Sequence, residues 1–287
     1  MDKIELLAPA GNLEKAKIAL IYGADAVYIG GKKFSLRARA SNFELNDIKE
    51  ICKFAHERNK KVYVTTNIIP HDEDMDNLDE YLLVLNEMKV DAITMGNHTW
   101  GKKDIFSFAD DPKLLRPANY APNVPGHGYG IFDCKGKKIC VVNLIGRTDM
   151  NVLSENPFLK MNDVLNAVKG KADIIILDFH AEATAEKIAM GYYLDGRITA
   201  MFGTHTHVQT ADETILEKGT GYITDIGMTG PKKSVIGMDV SASLKRFETT
   251  LPEKYKLADG NCMLNGCIFE INDESCRVEK IMRVVRK

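Results

Sequence analysis

Over the first ninety residues, short apolar runs alternate with stretches whose apolar positions recur every three or four residues. Ile4-Glu-Leu-Leu-Ala8, Asp25-Ala-Val-Tyr-Ile29 and Lys61-Val-Tyr-Val-Thr-Thr66 read as strands. Between the first two, Asn12 to Tyr22 reads as a helix, opened by an asparagine cap and closed at Gly23. Leu45, Ile48, Ile51, Cys52 and Ala55 line one face of a second helix, and Leu78, Tyr81, Leu82, Leu85 and Met88 mark a third. This alternation predicts parallel strands joined by crossover helices.

Beyond residue 90 the pattern changes. Lys138 to Asn143, Ile174 to Phe179, Ala200 to Phe202 and Gly221 to Asp225 read as strands, separated by loops rich in glycine, proline and asparagine. Met263 to Ile271 and Val278 to Val285 read as an antiparallel pair. Gly126-His-Gly-Tyr-Gly130 reads as a turn, because it does not follow a strand and open a helix as a dinucleotide loop does. Ala24-Asp-Ala-Val-Tyr-Ile-Gly30 is echoed by Val90-Asp-Ala-Ile-Thr-Met-Gly96, and the shift there places a boundary between segments 1–92 and 93–287.

Charge narrows the partners. A net charge of -2 over 287 residues leaves no basic field to collect DNA or RNA, so bulk nucleic acid is not expected as a partner. No apolar run approaches membrane-spanning length and no signal-peptide pattern precedes the first strand, so the expectation is a cytoplasmic protein with no membrane partner. The six cysteines have no C-x-x-C spacing and are expected to be buried apolar fillers, in neither a disulfide nor a zinc site.

Candidate chemistry sits where apolar runs stop. Met95-Gly-Asn97-His98, Leu177-Asp-Phe-His180 and Phe202-Gly-Thr-His205-Thr-His207 each end a strand in residue types that ligate metals. Sites in α/β sheets form beyond the carboxyl ends of strands, so these three ends are expected to converge. Imidazole and amide oxygen suit zinc, manganese or iron. The remaining histidines, His56, His71 and His127, sit in a helix or in loops; His56 and His127 read as ordinary surface residues, while His71 lies beside Asn67 and Asp72, close enough to join them in supplying a ligand.

Gly96-Asn-His-Thr-Trp100, Asp178-Phe-His-Ala-Glu182 and Gly203-Thr-His-Thr-His207 resemble the metal-binding elements of calcineurin-like metallophosphoesterases. Arg116-Pro-Ala-Asn119, Gly146-Arg-Thr148, Asp178 to Lys187, His207 to Asp212 and Tyr222 to Pro231 narrow this to the YmdB-type cyclic-nucleotide phosphodiesterases, over roughly residues 91 to 287. The resemblance implies a layered α/β metallophosphoesterase-like sandwich, a homo-oligomer, two divalent ions (Mn, Fe or Zn) and a 2′,3′-cyclic nucleotide or similar small phosphodiester as substrate. It also implies that Asn97, His180 and His205 ligate one ion and His207 the other, with His98 as the unligated proton donor.

The family's first two strands end in an aspartate and a glutamate that bind and bridge the metals, and this chain departs from both. Its first strand continues Leu6-Leu-Ala-Pro-Ala-Gly11, and the bridging-glutamate position falls on Ile69. Asn67 and Asp72 are the candidate substitute ligands. Residues 1 to 92 instead resemble the start of the collagenase-like peptidases of unassigned catalytic type, through Ile4 to Asn12, Tyr22 to Gly31, Leu36-Arg-Ala-Arg-Ala40 and Val62 to Asn67. Such βα units look like part of a β/α barrel, which three or four units cannot close. The expectation is thus a hybrid that keeps one metal site and is impaired at the second. The competing readings are an inactive metal- or nucleotide-binding hybrid and, third, a peptidase or RNA-modification role.

Overall fold

The computed structural model describes residues 7–10, 12–30, 45–58, 60–65, 90–101 and 103–286. The third expected helix, Arg37, Arg39, Asn67, Ile69, His71 and Asp72 lie outside the described residues. The chain divides into two compact units, one drawn from residues up to 90 with 229–263, the other from 91–228 with 264–286.

In the first unit, β1 (Leu7–Pro9), β2 (Ala26–Gly30) and β3 (Lys61–Thr65) form a parallel sheet in that order, with α1 (Leu13–Ile21) and α2 (Leu45–His56) as crossovers. Asn12 caps α1 by accepting the Lys15 amide at 2.9 Å, and Gly23 follows the helix at φ 111, so both sequence signals hold. The apolar stripe of α2 is the one expected: Ile48, Ile51, Cys52 and Ala55 pack with Ala16, Leu20, Val27 and Ile29. Each large aliphatic side chain so buried contributes about 1.5–3 kcal/mol. The same unit holds β12 (Gly230–Pro231), which pairs with the first residues of β13 (Cys262–Ile271), and α5 (Val240–Thr249), which is capped by Asp239.

The second unit is built on a six-stranded sheet. Its strands are β6 (Tyr129–Cys134), β7 (Lys137–Ile145), β8 (Ile174–His180), β9 (Ala200–Thr204), β10 (Thr214–Ile215) and β11 (Gly221–Ile223), in the order β10-β11-β9-β8-β7-β6. The inner four are mutually parallel, and β6 and β10 close the edges antiparallel. α3 (Pro157–Val168) and α4 (Thr184–Leu194) share one core with the sheet, in which Val142, Leu144, Leu177, Phe179, Met161 and Met190 meet. That burial explains why β7 and β8 read as nearly unbroken apolar runs. A parallel pair, β4 (Ile93–Thr94) and β5 (Leu114–Leu115), lies ahead of the sheet in sequence, and β13 pairs antiparallel with β14 (Val278–Arg286) as expected.

Two expectations need correction. The turn over Gly126–Gly130 runs into β6, an edge strand whose hairpin with β7 turns on Lys135 and Gly136 at φ 52 and 81. Only Cys52 and Cys140 are buried. Cys134 is exposed at that hairpin and the other three are half-buried, because edge and hairpin positions leave one side of a strand to solvent.

Candidate metal centre

The parallel register aligns the carboxyl ends of the inner strands. His180 at the end of β8 stands opposite Thr204 at the end of β9 and opposite Ile145 at the end of β7. Asn97 and His98 occupy a tight turn just after β4, pinned by the Thr99 amide and hydroxyl, which donate to the Gly96 carbonyl at 3.2 and 2.6 Å. Gly96 must lack a side chain, because a Cβ there would lie 2.3 Å from the His180 ring.

These ends bring three donor atoms together. His180 Nε2 lies 3.0 Å from Asn97 Oδ1 and 3.0 Å from His205 Nδ1. Their outer contacts decide where the protons are. Thr204 donates its hydroxyl to Asp178 at 2.8 Å, so at 3.0 Å it accepts from His180 Nδ1, and the proton of His180 sits on Nδ1. Glu182 Oε2 lies 3.1 Å from His205 Nε2, which places the His205 proton there. Two bare imidazole nitrogens and a carboxamide oxygen therefore face one another with no proton between them. That arrangement is repulsive alone and suits a cation; adjacent ligands at ~2.1 Å from such an ion are about 3.0–3.4 Å apart.

Electrostatics favours the ligating forms. Burial, followed by the neighbouring His205 and Lys187, pushes the His180 imidazole down to about 3, so it is neutral at pH 7. His205 is lowered as well, chiefly by burial, against the opposing charge of Glu182. Burial lifts the Asp178 carboxyl to about 6, opposed by hydrogen bonds from Thr94 and Thr204.

The loop after β9 is held under strain. His205 and His207 have φ of 97 and 66, a region that non-glycine residues occupy at a cost of about 1–3 kcal/mol. Between them, Thr206 donates its amide (3.2 Å) and its hydroxyl (2.7 Å) to Asp225, and the same carboxylate oxygen accepts Lys187 Nζ at 2.7 Å. The Lys187 and Asp225 side chains are 0% and 1% exposed, so the brace is a buried ion pair. Gly203 gives the strand room, since a Cβ would meet the Thr224 carbonyl at 1.8 Å.

Of the residues marked in the sequence, Asn97, His180 and His205 are brought together. His98 is exposed on the Asn97 turn, and His207 is half-buried in the strained loop. Among the described residues no group of three or more His, Cys, Asp or Glu is placed to hold a metal ion, so the convergent set is two imidazoles and an amide. Those residues fit one divalent ion, with Glu182 and the Thr204–Asp178 pair orienting the two rings as outer partners of metal-bound histidines do. Lys187, Asp225, Thr204 and Glu182 acquire these roles only in three dimensions. Other motif residues are scaffold: buried Asn119 ties Ile145 to Glu155, and the amides of Arg147 and Thr148 donate to Glu186.

Residues 78–284 match the family described as YmdB-like protein, and residues 11–100 match Peptidase family U32. The chain is 50% identical over 196 residues to the 2′,3′-cyclic-nucleotide 2′-phosphodiesterase of Bacillus subtilis (strain 168), which covers 68% of this chain and 74% of that protein. It is 53% identical over 126 residues to tRNA hydroxylation protein P1 of the same organism, over 44% of this chain but only 26% of that protein. A solved structure described as a novel phosphatase from Mycoplasma pneumoniae matches with a TM-score of 0.68 at 29% identity, over 98% of this chain and 91% of that one.

Proposed function

Because the chain belongs to the YmdB-like protein family over residues 78–284, we propose that it is a metal-dependent phosphodiesterase that opens 2′,3′-cyclic nucleotides or similar small phosphodiesters. The observation that carries this reading is the unprotonated meeting of Asn97 Oδ1, His180 Nε2 and His205 Nδ1 at the strand ends. A divalent ion held there neutralises phosphodiester charge and supplies a hydroxide at neutral pH.

The chain's own residues do the rest. Asn97, His180 and His205 hold the ion, while Glu182 and Thr204 fix which ring nitrogens face it. His98, exposed beside Asn97, gives a proton to the ester oxygen as its bond to phosphorus breaks and the oxygen of water bonds to phosphorus. The product is a nucleoside monophosphate.

His207 is the ligand assigned to a second ion, whose family carboxylates this chain replaces with the Ala8-Pro9-Ala10 strand end and with Ile69. Losing an outer partner of a metal ligand costs about 10- to 100-fold, and losing two direct ligands costs at least as much, so turnover is expected to be slow. A second reading, a metal- or nucleotide-binding hybrid without turnover, draws on that same two-histidine, one-amide set.

Incubating the protein with 2′,3′-cyclic AMP and manganese, with His98→Ala alongside, separates the two. Release of a nucleoside monophosphate that His98→Ala loses supports the enzyme. A folded protein that binds manganese and releases no product supports the second reading.

A further inference from the structure

Where β8 and β9 begin, at the far end of the six-stranded sheet from His180 and His205, a cavity of about 190 Å³ opens. Arg197, Lys218 and Arg277 line it together with Asp173, Thr199 and Ser275. The three cations come from separate segments: the α4–β9 connection, the turn before β11 and the β13–β14 hairpin. Among the described residues none of the three forms an ion pair.

Their recorded bonds go to neutral groups. Arg197 donates to the Tyr193 carbonyl at 3.4 Å and to Asn162 Oδ1 at 2.6 Å, and its guanidinium lies 4.9 Å from the Tyr193 ring centroid. Arg277 donates to the Lys218 carbonyl at 3.4 Å, which brings two cationic residues side by side. Two of the acids nearby, Asp173 and Asp195, are committed to backbone amides. Asp173 accepts from Lys138 at 2.8 Å, and buried Asp195 accepts from Lys218 and Thr220 at 2.9 and 3.3 Å. Thr199 Oγ1 accepts the Ile175 amide at 3.2 Å, leaving its hydroxyl proton to be donated.

Three cations against one lining carboxylate, in a concave wall, focus a positive potential. Guanidinium forks beside an ammonium group match the oxygens of a tetrahedral anion. We propose that the cavity lined by Arg197, Lys218 and Arg277 binds a phosphate-class oxyanion, either free inorganic phosphate or the phosphate of a small monoester. The site does not depend on the phosphodiesterase reading.

The test is calorimetric titration of the full chain in a chelator, first with inorganic phosphate and then with adenosine 3′-monophosphate. One ligand is expected per chain, and Lys218→Gln/Arg277→Gln weakens it by about tenfold or more. Both side chains are exposed, so the urea midpoint of this variant is expected to match the parent. Ser275→Asp, which adds a negative charge at the exposed hairpin, is expected to weaken binding in the same direction. Binding of phosphate without the monoester identifies free phosphate as the ligand, and the converse identifies the monoester. No binding of either by folded protein overturns the proposal, as does equal affinity in parent and double variant. Loss of binding in His180→Ala also overturns it, because the anion then sits at the candidate metal centre.

Discussion

The parallel strands of the two units are built alike and end differently. In both, strands are crossed by helices that bury one apolar stripe. Yet β2 ends in Ile29-Gly30, whereas β8 ends in Asp178-Phe-His180 and β9 runs through Gly203-Thr into His205. Behind the second set lie a buried lysine–aspartate pair and a part-buried link from Thr204 to the buried Asp178, groups that are expensive to take out of water. Among the described residues the same architecture therefore serves as packing in one unit and as a support for the candidate metal centre, with its strained His205, in the other. Chemistry here is a property of strand ends and of what braces them, not of the βα pattern.

The sharpest way to break that contrast is to cut the ion pairs. Lys187→Ala leaves Asp225 buried and unpaired, and should cost about 3–5 kcal/mol in a urea unfolding series. Lys60→Ala, which removes a part-exposed partner of Asp25 in the first unit, should cost at most about 1 kcal/mol. Equal losses would show that the buried brace is nothing special.

Glycine positions give the next contrast. Gly96→Ala drives a methyl group into the His180 ring and should cost about 1–3 kcal/mol while disrupting manganese binding, read by calorimetry. Gly23→Ala meets no atom within 4 Å, and its cost of about 1 kcal/mol reflects only its φ of 111. Glu182→Gln should weaken manganese affinity by about 10- to 100-fold with little change in the unfolding midpoint, since Glu182 is 50% exposed. Asn12→Ala sets the lower end of the scale, at about 1 kcal/mol for a lost helix cap and with no effect on metal.

What was legible in the chain follows from range. The Asn12 cap, the Gly23 stop and the α2 stripe are local signals, and they appear where expected. β7 and β8 were legible because burial on both faces makes their sequences nearly continuously apolar. β6 was not, because it is an edge strand with Tyr129 and Ile131 exposed, and its turn is Lys-Gly rather than the commoner Asn-Gly. Asn97, His180 and His205 could be marked from their place at the ends of apolar runs. Lys187 could not, since a helical lysine ordinarily faces solvent and its partner Asp225 lies 38 residues away. Glu182 ends the Asp178-Phe-His-Ala-Glu182 motif, but only the 3.1 Å approach to His205 gives it a task.

The most direct test of the claim that one divalent ion is held by Asn97, His180 and His205 is to titrate the metal-free protein with manganese beside His180→Ala and His56→Ala. The account predicts one tightly held ion per chain, lost in His180→Ala and kept in His56→Ala, whose histidine is exposed at the end of α2. Manganese binding by His180→Ala equal to that of the parent would contradict it.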